Sequence, residues 1–160
     1  MRLALYEPDI PQNTGTILRL AACLGVGVDV IEPCGFVWSD TRMKRAGMDY
    51  LDGVELIRWK SFDHFLDGQR ERGGRLVLLS AHGAVSHLSA RYRPDDVLML
   101  GRESAGVPDG VRDLADMAVA IPMQPGFRSL NVAISGAIVL SEALRQTEAF
   151  PDFPPGRVDI

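Results

Sequence analysis

Two four-residue runs, at 76–79 and 97–100, are apolar at every position. A strand that faces water on one side alternates apolar and polar residues, so a wholly apolar run predicts a strand that is buried on both faces, as in parallel sheets covered by helices. Further strand-like segments lie at 2–6, 28–32, 54–58 and 118–121, and segments with helical spacing separate them. We therefore predict an α/β domain with a mainly parallel sheet.

The first predicted helix follows the strand at 2–6. Asn13 or Thr14 is its predicted N-cap, and Gly25 ends it. With that start, Gly15 opens the helix and its free backbone N–H groups would face an anion, while Arg19, four residues later, would project toward the same loop. An N-cap asparagine followed by a solvated arginine fits the same residues, so this segment alone does not decide between the two.

Four more helices are predicted: a short basic one from Asp40, one capped by Ser61, a short one from Pro108, and a long one from Asn131 to about residue 146. The long helix carries small and apolar residues on most faces, Val139 among them. A helix that is apolar all round must be buried. One domain of this size does not cover every face, so we expect a homodimer through this helix.

Composition narrows the function classes. The 160 residues predict one domain over 1–160 with a tail from about residue 150, and 17 Lys and Arg against 21 Asp and Glu give a net charge of −4. No apolar run approaches the about 20 residues of a membrane span, and the N-terminus does not resemble a signal peptide, so we expect a cytoplasmic protein without a membrane partner. Cys23 is predicted to be a small core residue. The three histidines lack zinc-type spacing, so no metal is expected.

Three loops follow the carboxyl ends of predicted strands, where α/β sheets bind ligands. In the loop after the run at 97–100, Gly101 and Gly106 would let a ligand approach the backbone closely, and Glu103 would place a carboxylate beside it. In the loop after the last predicted strand, Ser129 or Asn131 opens the long helix. A tight turn with a capping glutamate, and a loop with a serine N-cap, would account for the same residues.

Together the three loops carry a family resemblance. The residues that carry it are Asn13-x-Gly15-x-x-x-Arg19, then Leu100-Gly101-x-Glu103-x-x-Gly106-Val107-Pro108, then Ile121-Pro122-Met123 with Ser129-Leu130-Asn131-Val132. This order resembles the SPOUT methyltransferases of the 2′-O-ribose branch. The opening Leu5-Tyr6-Glu7-Pro8 and the segment Arg45-Ala46-Gly47-x-Asp49-Tyr50 are similar to the tRNA (cytidine/uridine-2′-O-)-methyltransferases of the wobble nucleotide. The likeness spans about residues 2–146.

The resemblance implies a fold and a cofactor. The fold would be an α/β sheet with a deep C-terminal trefoil knot, and the cofactor S-adenosylmethionine, converted to S-adenosylhomocysteine. The positions that match the family's cofactor contacts are Leu79, Gly101, Ile121, Met123, Ser129 and Leu130. The family's enzymes are homodimers with the helix after Asn131 at the interface, in agreement with the expectation from its composition.

The resemblance also implies a reaction, the transfer of a methyl group to the ribose 2′-hydroxyl of the wobble cytidine or uridine of tRNA, in leucine tRNAs by family likeness. The family assigns the activation of that hydroxyl to the arginine that matches Arg19. Because an arginine is not a base near neutral pH, we expect Arg19 to position the nucleotide while a neighbouring phosphate helps to accept the proton. Asn13, Glu103 and Asn131 match the supporting polar positions.

The predicted RNA contacts are the cluster Arg42, Lys44 and Arg45, which would bind phosphates, although a solvated basic helix fits it too. Two positions depart from the family: Arg102 replaces a frequent proline or serine, and Ser141 replaces a frequent tyrosine. The alternatives are a 2′-O-methyltransferase of the same superfamily that acts on another tRNA or rRNA nucleotide, and a non-catalytic RNA-binding knot protein. A nicotinamide oxidoreductase is disfavoured because the dinucleotide-binding glycine pattern is missing.

Overall fold

The computed structural model of this chain describes residues 1–38 and 53–152. Its strands form one seven-stranded sheet in the order β3-β2-β1-β6-β4-β7-β5, and every pair is parallel. The strands are β1 (Arg2–Tyr6), β2 (Gly27–Ile31), β3 (Leu56–Trp59), β4 (Leu76–Leu79), β5 (Val85–Ser86), β6 (Val97–Leu100) and β7 (Met117–Ala120). The predicted α/β class and parallel sheet are confirmed.

Helices cover both faces of the sheet. They are α1 (Pro11–Leu24), α2 (Phe62–Arg72), α3 (Asp109–Arg112) and α4 (Val132–Gln146). On one face α1 and α4 pack together over a core that includes Leu18 and Leu140, and on the other Phe65 and Val111 lie in a second core. The strands between the two cores are buried from both sides, which is why β4 and β6 are apolar at every position.

The start of α1 differs from the prediction. The helix begins at Pro11, with Ile10 as N-cap and no side-chain capping bond, and it ends at Gly25 in the left-handed conformation as predicted. Proline suits a first helical position because its ring fixes φ and it has no N–H to leave unpaired. Asn13 therefore lies in the first turn, and Gly15 is buried inside the helix. The backbone N–H of Gly15 does not open the helix, so the predicted anion site at Gly15 is wrong.

Other boundaries were predicted more closely. Ser61 accepts a hydrogen bond from the His64 N–H at 3.3 Å and caps α2, and Asn131 caps α4, both as predicted. The short strand β5 was missed because two residues carry no periodicity. Cys23 is exposed, so its prediction as a core residue is wrong: it lies on the outer face of α1.

Two predictions fall outside the described residues, and a third concerns the threading of the chain. The helix from Asp40 with Arg42, Lys44 and Arg45, and most of the predicted tail, lie in 39–52 and 153–160, beyond the described ranges. In the sheet, β6 lies between β1 and β4, and β4 lies between β6 and β7, so the order in space departs from the order in the chain. The trefoil knot stays a prediction.

Candidate functional site

A cavity of about 560 Å³ opens at the edge of the sheet where the strands end. Its walls come from the loops that follow β4, β6 and β7 and from the first turns of α1 and α4. The carboxyl ends of parallel strands meet at one edge, so loops distant in sequence converge there. The three loops singled out in the sequence all contribute to this one cavity.

The loop after β6 is a closed turn that needs glycine at both ends. Arg102 and Gly106 exchange two backbone hydrogen bonds, each of 2.9 Å. Gly106 has φ +67°, and a Cβ added at Gly101 would lie 2.7 Å from the carbonyl carbon of Gly106. Any larger residue at 101 would therefore open the turn, and the bare backbone of this loop faces the cavity.

Glu103 ties this loop to the loop after β1. Its carboxylate accepts a hydrogen bond from the Asp9 backbone N–H at 2.8 Å and one from Asn13 Nδ2 at 3.1 Å. In return, the Asp9 carboxylate accepts hydrogen bonds from the backbone N–H of Ser104, at 3.1 Å, and from its hydroxyl. Four hydrogen bonds thus cross between two loops about 94 residues apart, and bonds to a charged group are stronger than neutral ones.

Asn131 extends the network to the third loop. Its Nδ2 donates to Asn13 Oδ1 at 3.0 Å, while its Oδ1 caps α4 by accepting from the N–H groups of Ala133, at 2.9 Å, and Ile134, at 3.3 Å. The Asn13 amide donates to a carboxylate and accepts from another amide, so its orientation is determined. The predicted residues Asn13, Glu103 and Asn131 are therefore hydrogen-bonded in a row along the cavity wall.

The six predicted cofactor positions also lie on this cavity. They are Leu79, Gly101, Ile121, Met123, Ser129 and Leu130. Residues 124–130 are exposed, and within 122–130 the one backbone hydrogen bond to another described residue joins the Phe127 N–H to the Gln124 carbonyl at 3.4 Å. This wall is held by far fewer bonds than the loop after β6.

Arg19 is not part of the cavity wall. It lies exposed on α1, six residues beyond Asn13, which corresponds to about 9 Å along the helix axis. Arg19 is absent from the residues that line the cavity with Asn13, so its expected role toward the nucleotide stays a prediction. Any contact of Arg19 with a substrate would be made outside the cavity.

Sequence reasoning missed several wall residues. Ser80 and His82 follow β4, and Arg112 lies on α3, and all three line the cavity. The signal for the first two was their place directly after a buried strand, at the same edge as the three chosen loops. Arg112 gave no local signal, because an arginine paired with Asp109 at i,i+3 reads as a solvated helix face.

Cysteine chemistry is disfavoured by the environment of Cys34, in the loop after β2. Burial, and secondarily Glu32, raise the pKa of Cys34 to about 11, despite an opposing effect of Arg58. The thiol of Cys34 is therefore protonated at neutral pH, and the thiolate is the reactive form.

Within residues 1–38 and 53–152, no helix is long and apolar enough to span a membrane, and no cluster of three or more His, Cys, Asp or Glu could hold a metal ion.

Comparison with known proteins identifies what this arrangement is similar to. The SpoU rRNA Methylase family model matches residues 1–141. A protein of Beijerinckia indica subsp. indica named tRNA (cytidine(34)-2′-O)-methyltransferase is 58% identical over 147 residues, which are 92% of each chain. A solved structure described as giving insight into 2-OH methylation of C/U34 on tRNA has 42% identity and a TM-score of 0.85, and covers 91% of this chain and 94% of its own.

A third comparison concerns an rRNA enzyme. The AdoMet-bound rRNA methyltransferase of Sinorhizobium meliloti is 30% identical with a TM-score of 0.81; the match covers 90% of this chain but only 55% of that one. The shared part is thus the methyltransferase fold, and the larger protein has further residues that this match leaves out.

Proposed function

The chain belongs to the SpoU rRNA methylase family, and from this premise we propose that it transfers a methyl group from S-adenosylmethionine to the ribose 2′-hydroxyl of the cytidine or uridine at position 34 of tRNA. The observation that carries the proposal is the convergence of the three motif loops on one cavity, with Glu103, Asn13 and Asn131 hydrogen-bonded along its wall. Such an enzyme acts on tRNA in the cytoplasm, which is where we expect this protein.

A tRNA substrate is favoured over rRNA by the pattern of similarity. The relative at 58% identity is named for cytidine 34 of tRNA and matches over nearly its whole length. The rRNA methyltransferase is 30% identical and matches over 55% of its length. The higher identity and the fuller match therefore favour the tRNA substrate.

The cavity suits the methyl donor in size and chemistry. Its volume of about 560 Å³ lies within the usual ~300–1,000 Å³ of small-molecule sites. Leu79, Ile121 and Leu130 supply apolar wall, while Gly101 exposes backbone groups that can read the edge of an adenine. When bound, S-adenosylmethionine would supply a methyl group on a positively charged sulfur that leaves as a neutral thioether, so the reaction needs no metal.

The acceptor hydroxyl is a weak nucleophile, so the protein must orient it and its proton must be taken up. We assign the orientation to Arg19, Asn13, Glu103 and Asn131. The amides of Asn13 and Asn131 are oriented by their hydrogen bonds to Glu103 and to each other, and Arg19 lies exposed on α1, outside the cavity lining. Arg19 would bind the nucleotide, and a neighbouring phosphate would help to accept the proton, since a guanidinium stays charged.

We assign further RNA contacts to Arg42, Lys44 and Arg45, which lie in the segment 39–52 outside the described residues. Three phosphate contacts would make tRNA binding modest and sensitive to salt. Leucine tRNAs are the proposed isoacceptors, by family likeness alone.

The test is methyl transfer from radiolabelled S-adenosylmethionine to total tRNA and, in parallel, to ribosomal RNA. Mapping of the labelled nucleotide should place it at position 34 of leucine tRNAs, with rRNA unlabelled. A label on another nucleotide would contradict the proposed target nucleotide but support methyl transfer to RNA. RNA binding without any label would overturn the enzyme proposal in favour of a non-catalytic RNA-binding protein.

We further propose that two copies of the chain pair through the outer face of α4. Ile134 and Ile138, one turn apart on this helix, are 51% and 36% exposed, and Leu130 just before it is 42% exposed. The opposite face, with Val139 and Leu140, is buried in the core of the protomer itself. Exposed aliphatic residues at i,i+4 spacing form a stripe that a second copy would cover.

A matched pair of variants tests the dimer. Ile138→Lys should yield a folded monomer in light scattering at micromolar concentration, because it places a charge in the proposed interface. Val139→Ala should leave the dimer intact but lower the free energy of unfolding by roughly 1–2 kcal/mol, since Val139 lies in the protomer core. A monomeric unmutated protein would refute the proposal.

A further inference from the structure

Arg102 occupies an unusual position for an arginine, in the middle of the glycine turn that faces the cavity. Its backbone is held by the two bonds to Gly106, and its guanidinium forms an ion pair with Glu7 and lies 5.9 Å above the ring of Tyr6. The Arg102 side chain is 38% exposed and lines the cavity, whereas that of Glu7 is only 12% exposed. The guanidinium of Arg102 is thus held in place by Glu7 and Tyr6, while part of the side chain stays exposed to the cavity.

The order of the strands indicates whether the exposed part of the Arg102 guanidinium lies nearer to the methyl donor or to the RNA. In the sheet, β6 lies between β1 on one side and β4 on the other, with β7 beyond β4. The proposed donor contacts Leu79, Ile121 and Ser129 follow β4 and β7, but the partners of Arg102, Tyr6 and Glu7, lie at the end of β1. The guanidinium of Arg102 therefore lies toward the end of β1 and away from the proposed donor contacts that follow β4 and β7.

The chemistry of a guanidinium then points to one group. It has five N–H donors, more than the Glu7 carboxylate can satisfy, and with the side chain 38% exposed some of them face the cavity. On the acceptor side of the cavity the ligand is RNA, whose anionic groups are phosphates, and arginine pairs with phosphate through two parallel hydrogen bonds. A ribose 2′-hydroxyl lies beside the phosphate on the neighbouring 3′ carbon.

We propose that Arg102 is an RNA-binding residue which, held by Glu7 and Tyr6, binds a backbone phosphate adjoining the methylated ribose. This inference rests on the proposed methylation of nucleotide 34. It assigns to Arg102 the placement of the sugar and leaves donor binding to the backbone of Gly101 and to the residues that follow β4 and β7. Position 102, at which this chain departs from a frequent proline or serine, then becomes a determinant of how the anticodon loop docks.

The experiment pairs a protein change with a phosphate change. Arg102→Gln and the unmutated enzyme are assayed with anticodon stem-loop RNAs that carry an uncharged methylphosphonate 5′ or 3′ of nucleotide 34. With normal RNA, the substitution should raise KM for RNA by roughly 10- to 100-fold, as expected for a charged hydrogen bond, with S-adenosylhomocysteine affinity within about twofold. A plot of log RNA affinity against log salt concentration should become less steep, by the contribution of about one phosphate contact.

The decisive result is the coupling between the two changes. If Arg102 binds one of these phosphates, removing that charge from the RNA should weaken the unmutated enzyme as much as Arg102→Gln does and should weaken Arg102→Gln no further. Arg102→Lys should recover only part of the affinity, because an ammonium lacks the planar fork. Arg70→Gln, which removes an exposed arginine paired with Asp67 on α2, is the control and should change nothing.

Three outcomes would overturn the inference. Additive losses at both phosphates would show that Arg102 binds neither, and a loss confined to S-adenosylhomocysteine affinity would assign Arg102 to the donor's carboxylate. A melting temperature that falls together with activity in Arg102→Gln but not in Arg102→Lys would reduce its role to joining the two loops. Failure of the unmutated enzyme to label nucleotide 34 would instead overturn the proposed function.

Discussion

The two walls of the cavity are built differently. The wall formed by the loops after β1 and β6 is cross-tied: Glu103 and Asp9 accept four hydrogen bonds between the loops, and Arg102 pairs with Glu7. The wall formed by the loop after β7 is exposed, with Phe127 at 75% and Leu130 at 42%. The first wall is held by hydrogen bonds between the loops, whereas the second is exposed and held by few bonds, so we expect the second wall to gain more order when the donor binds.

The largest expected effect comes from Arg19, outside both walls. Arg19→Ala should lower the methylation rate about 10²–10³-fold, equivalent to roughly 3–4 kcal/mol of lost transition-state interaction. Donor affinity should stay within about threefold, because Arg19 does not line the cavity. Single-turnover methylation and calorimetry with S-adenosylhomocysteine measure the two quantities. Normal methylation by Arg19→Ala at saturating RNA would remove Arg19 from the acceptor side.

A pair of glycines tests whether the two walls differ in rigidity. Gly101→Ala should weaken donor binding by about tenfold or more, because its Cβ would meet the Gly106 backbone at 2.7 Å and the turn must open. Gly126→Ala should weaken donor binding by less than about threefold, since nothing lies within 4 Å of the added Cβ, although φ +91° should lower the free energy of unfolding by about 1–2 kcal/mol. Thermal unfolding and titration calorimetry report both. Equal effects at the two positions would contradict the contrast between the walls.

Substitutions of Glu103 should show how much its hydrogen bonds to Asp9 and Asn13 contribute to methylation and to stability. Glu103→Gln keeps a carbonyl oxygen that can accept from the Asp9 N–H, but its amide nitrogen cannot accept from Asn13. We expect methylation to fall roughly tenfold and the free energy of unfolding to fall by about 1 kcal/mol. Glu103→Ala, which leaves both donors unpaired, should lose more in both measurements. If Glu103→Gln and Glu103→Ala behave alike, the hydrogen bond to Asn13 carries the whole effect.

The smallest effect is a change in hydrogen exchange. Saturating S-adenosylhomocysteine should slow exchange of the amides at 122–130 by about tenfold, because donor binding orders an exposed loop. The amides of Asp9, Ser104 and Gly106 are already hydrogen-bonded and should change by less than about twofold. Protection of the first wall without protection of 122–130 would reverse the assignment.

Features that depend on residues close together in the sequence were predicted more accurately than features that depend on distant residues. The strands at 76–79 and 97–100 were predictable because burial on two faces leaves no polar residue, and Asn131 was recognisable because a capping side chain acts within three residues. The start of α1 was misplaced because Asn13 resembles an N-cap, whereas its side chain is bonded to Glu103 and Asn131, 90 and 118 residues away. No local pattern encodes such a partner.

The same limit applies to the site. The motif loops were predicted to meet, and they do, but the sequence does not tell which wall is rigid. Arg19 was expected to project toward the loop because it lies four residues after Gly15, yet it is six helical positions beyond Asn13, and a rotation of about 600° puts the two on different sides of α1. The ion pair between Arg102 and Glu7 joins two loops that are far apart in the chain, so no local sequence pattern predicts it.

The strand order also sets when the site can form during synthesis. β2, the first neighbour of β1, is complete by residue 31, but the other neighbour, β6, is nearly a hundred residues from β1 in the chain. At about 5–20 residues per second, the ribosome needs roughly 5–20 s to add the 94 residues between Asp9 and Glu103. During that interval one edge of β1 has no partner strand, and an open edge invites pairing with other chains. Asn13 meets Asn131 later still, so donor and acceptor can be brought together only by a nearly completed chain.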